Sequence, residues 1–169
     1  KAIRRQRQMC IRDRFSTDQV TANIVGWKHY TDNSEDYPLS EAGFKFTVDP
    51  QNDDAPVPTN VQPGASFEVG CSNIGSIDFP LAVFKSEHVG NTYSYKVSEV
   101  IPAEATAPDY TYNGMTYDPA VWTVTVEVSI NANNEIVLDW STESSADPGA
   151  DTVRTVTFTN SYSTSSVIV

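Results

Sequence analysis

Residues 121–130 read VWTVTVEVSI, and residues 92–99 read TYSYKVSE. In the first stretch Trp122, Val124, Val126, Val128 and Ile130 alternate with Thr123, Thr125, Glu127 and Ser129. A period of two sends alternate side chains to opposite faces of an extended chain, whereas an amphipathic helix repeats every 3.6 residues. The apolar set therefore predicts the core face of a half-buried antiparallel strand, and its β-branched and aromatic members suit a pleated surface. In the second stretch Tyr93, Tyr95 and Val97 form the inward set.

Working outward, the same period recurs. Phe44, Phe46 and Val48 alternate with Lys45 and Thr47, and Val156 and Phe158 alternate with Thr155, Thr157 and Thr159. Strands are predicted at about 20–30, 43–49, 65–70, 74–79, 92–101, 120–131, 135–140 and 152–162. Between them lie TDNSED (31–36), DPQNDDAPVPTN (49–60), IPAEATAPDY (101–110), NANN (131–134) and SADPGAD (145–151). Pro, Gly, Asn and Asp favour turn geometry, so these clusters read as loops. No segment has helical periodicity. Short strands at this spacing predict an all-β fold, a single immunoglobulin-like β-sandwich with Greek-key connections.

Charge narrows the function classes. The chain of 169 residues has a formal net charge of -11. Residues 1–14 (KAIRRQRQMCIRDR) hold six of the eleven Lys and Arg but one of the twenty-two acids. The remainder carries five basic residues against twenty-one acids, a net of -16. Such a body repels nucleic acid and anionic membranes. No apolar run reaches membrane-spanning length. The basic head lacks the apolar stretch of a signal peptide and resembles translated adaptor read-through. Three parts are expected: a non-native or disordered head at 1–14, the sandwich domain at 15–163, and a tail or the start of a following domain at 164–169. Outside the head the sole cysteine is Cys71, so an internal disulfide is excluded for the domain and Cys71 reads as a small buried residue.

Parity singles out three polar residues. Continuing the inward set of 92–101 leads to Glu99, and continuing Val156 and Phe158 leads to Asn160. Near the N-terminus Ile24 and Gly26 share parity with Lys28, although Val25 and Trp27 support the opposite parity equally well. Buried polar groups without partners are costly, so such residues either lie past the end of burial or meet one another.

The ordered set GFKFTV (43–48), GNTYSYKVSEV (90–100), GMTYD (114–118), VWTVTVEV (121–128) and VTFTNSY (156–162) resembles the pilin isopeptide-linkage domains of Gram-positive backbone pilins. The resemblance implies a structural module of a secreted cell-wall or cell-surface fibre, with neighbouring domains or pilin subunits as partners, and no cofactor. It also implies a first-strand lysine joined to a last-strand asparagine with help from a glutamate, which carried over become Lys28, Asn160 and Glu99. Such a reaction runs once and turns over no substrate, so the chain is not read as an enzyme. Burial favours the chemistry by lowering a lysine's pKa and raising a carboxyl's. A protonated Glu99 is then expected to hydrogen-bond and polarise the Asn160 carboxamide and pass a proton to the leaving ammonia. Lys45 and Lys96 fall on polar parity and Lys85 sits beside a loop, so they suit the role less well.

Two other readings are compatible with the sequence. An uncrosslinked spacer or adhesin domain would leave Glu99 and Asn160 as strand-end polar groups. Carbohydrate binding would use exposed aromatics among Trp27, Tyr30, Tyr110, Tyr112 and Trp140, most of which are expected in the core or at loop bases. Metal and hydrolytic chemistry find little support. The histidines are His29 and His88, no nucleophile-elbow or zinc-helix motif occurs, and the acidic loops 32–36 and 49–54 lack EF-hand spacing.

Overall fold

The computed structural model describes residues 19–32, 43–71, 75–149 and 154–163. The expected head at 1–14, the tail at 164–169 and most of the acidic loop at 32–36 lie outside them. The strands are β1 (Gln19–Ala22), β2 (Val25–Asp32), β3 (Phe44–Pro50), β4 (Phe67–Cys71), β5 (Gly75–Ile77) and β6 (Ala82–Lys85). They continue as β7 (Thr92–Glu99), β8 (Thr111–Tyr112), β9 (Met115–Thr116), β10 (Val121–Ile130), β11 (Ile136–Ser144) and β12 (Thr155–Tyr162). A 3-10 turn, Ser86–His88, follows β6.

Two five-stranded sheets make the sandwich, in the orders β11-β10-β7-β3-β4 and β5-β2-β12-β9-β8, with a two-stranded ribbon β1-β6 beside them. The alternation sets the faces. Along β7 the inward residues are Tyr93, Tyr95, Val97 and Glu99, and along β12 they are Val156, Phe158 and Asn160. Phe46 of the first sheet meets Phe158 of the second with ring centroids 5.0 Å apart, and Phe79 at 6.5 Å. Val48, Val97, Val124, Val126 and Val128 complete the contact. Burial of these apolar faces is the main force holding the sheets together.

Several expectations need correction. The strand expected at 20–30 is two strands in different sheets. β1 pairs with β6, and the chain turns at Asn23 and Ile24 before β2 joins β12. Asn23 Nδ2 donates to the Phe79 carbonyl (3.1 Å) at this turn, giving a partner to a carbonyl outside the ladders. Strands β6, β8 and β9 had no clear period because they are two to four residues long. Ile130, expected inward, is 50% exposed, because β10 outruns the sandwich there.

The 49–60 loop is anchored from below. Tyr95 Oη donates to the Pro56 carbonyl (2.7 Å), and Ser94 N–H donates to Asn52 Oδ1 (3.0 Å). Among the described residues no group of three His, Cys, Asp or Glu could hold a metal ion. Of the aromatics considered for sugar binding, Trp27 and Tyr112 are exposed, while Tyr30 and Trp140 pack against the core.

The strand pairing that matters for the site is β2 with β12. They run parallel, with Val25 opposite Thr155, Lys28 opposite Phe158 and Tyr30 opposite Asn160. Parallel neighbours require a long connection, and here nearly the whole domain supplies it.

Candidate functional site

Lys28, Glu99 and Asn160 come together at the centre of the sandwich. Lys28 and Asn160 project inward from adjacent strands of one sheet, offset by two residues in register. Glu99 enters from β7 of the facing sheet, where it pairs with Phe46 of β3. Lys28 and Asn160 are 0% exposed and Glu99 6%. The ambiguous parity of β2 is resolved in favour of Ile24, Gly26 and Lys28 facing inward, with Trp27 44% exposed on the outer face.

One carboxyl group joins the other two side chains. Lys28 Nζ lies 2.9 Å from Glu99 Oε2, and Asn160 Nδ2 donates to Glu99 Oε1 at 2.7 Å. Aromatic rings wall the site, with Lys28 Nζ 4.4 Å from the Phe44 ring centroid and 5.7 Å from that of Phe46. Burial pushes the Lys28 pKa below its ordinary value against the pull of the Glu99 charge. Burial likewise pushes the Glu99 carboxyl up, opposed by Lys28 and by its hydrogen bonds. Both shifts favour the neutral pair, in which the proton resides on the carboxyl and the amine keeps its lone pair.

A third polar contact comes from outside the three residues marked by parity. The carbonyl Oδ1 of Asn160 accepts a hydrogen bond from the backbone N–H of Asp118 (3.0 Å), whereas Glu99 touches the amide nitrogen. Glu99 thus meets the Asn160 carboxamide at its nitrogen, while a main-chain donor occupies its carbonyl oxygen. The same N–H also faces the Glu99 carboxyl and favours its ionised form. Asp118 lies in the link between β9 and β10, and its carboxylate is fully engaged. Oδ1 accepts from Ala120 N–H (2.9 Å) and Oδ2 from Thr159 N–H (2.8 Å). The sequence signal for Asp118 was its place in GMTYD, but a backbone donor leaves no trace in residue type. Lys45, Lys85 and Lys96 are all exposed and away from this centre.

Chemically, the arrangement puts a potential nucleophile and a carboxamide on the two oxygens of one carboxyl group, in a site closed to water.

The major pilin protein T-13 from Streptococcus pyogenes is similar at 18% identity and a TM-score of 0.47, over 86% of this chain and 54% of that one. A second major pilin from Streptococcus pyogenes is similar at 20% identity and a TM-score of 0.44, over 86% of this chain and 50% of that one. The chain spans about half the length of these solved pilins. No curated protein matches its sequence. The model of the FctA family, described as the Spy0128-like isopeptide containing domain, matches residues 24–163, and the chain belongs to that family.

Proposed function

We propose that this chain is a structural module of a bacterial surface fibre that closes on itself through an amide bond between Lys28 Nζ and Asn160 Cγ. The observation that carries the proposal is the Glu99 carboxyl, fully enclosed and hydrogen-bonded at one oxygen to the amine and at the other to the amide nitrogen.

The reaction balances within these three residues. With the proton on Glu99, the neutral Lys28 amine attacks Asn160 Cγ. The Nζ–Cγ bond forms, a proton passes from Nζ to Oε2, and Glu99 delivers a proton from Oε1 to Nδ2. The Cγ–Nδ2 bond then breaks and ammonia leaves. Glu99 acts as general base toward one nitrogen and general acid toward the other, and ends as it began. Folding supplies the proximity that replaces a bimolecular encounter. Each chain reacts once, so the process is self-crosslinking and not enzymatic turnover.

The parallel pairing of β2 and β12 supports a mechanical role. Tension entering before β2 and leaving after β12 would pass through the Lys28–Asn160 bond and bypass the 131 residues between them. The partners under this reading are neighbouring domains or subunits of the same fibre at the cell surface.

Intact mass decides it. The folded wild type is expected to weigh one ammonia less than its sequence, and Asn160→Ala and Glu99→Ala are expected at full mass. A folded wild type at full mass would reduce the chain to an uncrosslinked spacer and end the proposal.

A further inference from the structure

The geometry points to Asp118 as part of the crosslinking machinery: its backbone N–H is the donor that stabilises the oxyanion on Asn160 Oδ1, and its carboxylate holds that N–H in place. This rests on the Lys28–Asn160 reading and adds a group to it.

Attack on Cγ turns the carbonyl into a tetrahedral centre with negative charge on Oδ1. A donor aimed there before the reaction begins lowers the barrier, because it needs no reorganisation as charge develops. Within the described hydrogen bonds, Asp118 N–H is the donor to that oxygen, at 3.0 Å. The two Glu99 oxygens are engaged instead by Lys28 Nζ and Asn160 Nδ2. The Asp118 N–H also faces Glu99 in the resting state.

The side chain explains why a residue in an irregular link aims so well. Residues 117–120 belong to no strand, and an untethered link would let the peptide plane rotate. Asp118 spans the gap with two charge-assisted bonds. One goes to Ala120 N–H, which closes the turn into β10, and the other to Thr159 N–H on β12, the residue before Asn160. The donor is thereby clamped to the strand that carries its acceptor. The carboxylate is a positioning group, and the N–H is the catalytic one.

The test separates the two. Wild type, Asp118→Ala, Asp118→Asn and a chain with an α-hydroxy analogue of aspartate at 118 are recovered unfolded and refolded. The analogue turns the Tyr117–Asp118 peptide bond into an ester, which deletes the N–H and keeps the carboxylate. Ammonia loss is followed by intact mass and divided by the folded fraction from near-ultraviolet circular dichroism, so that impaired folding does not register as slow chemistry. The ester is expected to react about 100-fold more slowly or worse, the usual cost of one oxyanion donor. Asp118→Ala is expected to slow by at least about tenfold, with Asp118→Asn between it and wild type because its Oδ1 still accepts from Ala120. If Asp118→Ala does not fold, the ester and Asp118→Asn carry the test. A folded ester reacting at the wild-type rate overturns the assignment and leaves the Lys28–Asn160 bond standing. A wild type that keeps its ammonia overturns both.

Discussion

Replacing Asn160 by Ala removes the crosslink while keeping the Lys28–Glu99 pair at 2.9 Å, so no buried charge is stranded. The loop released runs from residue 28 to residue 160, 132 positions apart. Treating the amide like a disulfide that closes the same loop, the chain-entropy relation gives about 5 kcal/mol. In the crosslinked protein Nδ2 has left as ammonia, but Asn160 Oδ1 still accepts from Asp118 N–H, a hydrogen bond worth about 1 kcal/mol net that the variant loses. The total is about 6 kcal/mol. For a domain of this size each kcal/mol shifts Tm by roughly 2–4 °C, so Tm should fall by about 12–24 °C. Thermal unfolding followed by circular dichroism, alongside intact mass for each sample, measures it. Because the entropy term belongs to the unfolded chain, folded-state spectra of wild type and variant should be nearly superimposable. A Tm drop of only about 2–4 °C, the share of the hydrogen bond alone, would refute the loop-entropy reasoning even if the mass deficit were present.

Crosslinking turns the Lys28 amine into an amide, so in the finished protein Glu99 loses the neighbouring charge that opposed its upward shift. The folded protein then binds the Glu99 proton at pH values where the unfolded chain has released it. Stability should therefore fall as pH rises from the ordinary glutamate value of 4.5 through the raised folded one, the reverse of the usual carboxylate. Urea midpoints across that range check it in crosslinked wild type; a midpoint that rises would contradict the buried, unpaired carboxyl. Lys28→Arg should retain its ammonia, whereas Lys45→Arg and Lys96→Arg, altered at exposed sites, should lose it as wild type does. Peptide mapping that joins Asn160 to any lysine but Lys28 would break the assignment. At Gly26 an added Cβ would run into the Phe79 ring and lie 3.1 Å from Ile77, so Gly26→Ala should lower stability by about 1–3 kcal/mol, read as a shift in urea midpoint. Phe46→Ala empties a fully buried position between the sheets and should cost about 3–5 kcal/mol on the same scale.

The close packing at Gly26 also explains why β2 was the hardest strand to read. Its inward face carries Ile24, Gly26 and Lys28, and its outer face carries Val25 and Trp27, so apolarity alone leaves the inward face undecided. Phe79 fills the space above Gly26, and the core is completed there by a residue from elsewhere in the chain. In β7 and β12 the inward faces are apolar up to Glu99 and Asn160, and parity was sufficient to mark both. Asp118 escaped notice for a different reason. A half-buried aspartate in a loop is commonplace by residue type, and its importance lies in a peptide N–H whose direction depends on the fold.

Alternation along VWTVTVEVSI and its companions, then, already determined an all-β chain and the face on which most of its strands would bury their residues. That much is local: a period of two follows from backbone geometry within a few residues. Only the tertiary structure decided that β2 would lie parallel to β12, that Lys28 would face inward, and that Glu99 would reach across from the other sheet to touch both partners. Those relations join residues as many as 132 positions apart. They are settled by which sheet faces bury each other and in what register, and no short stretch of sequence carries that information.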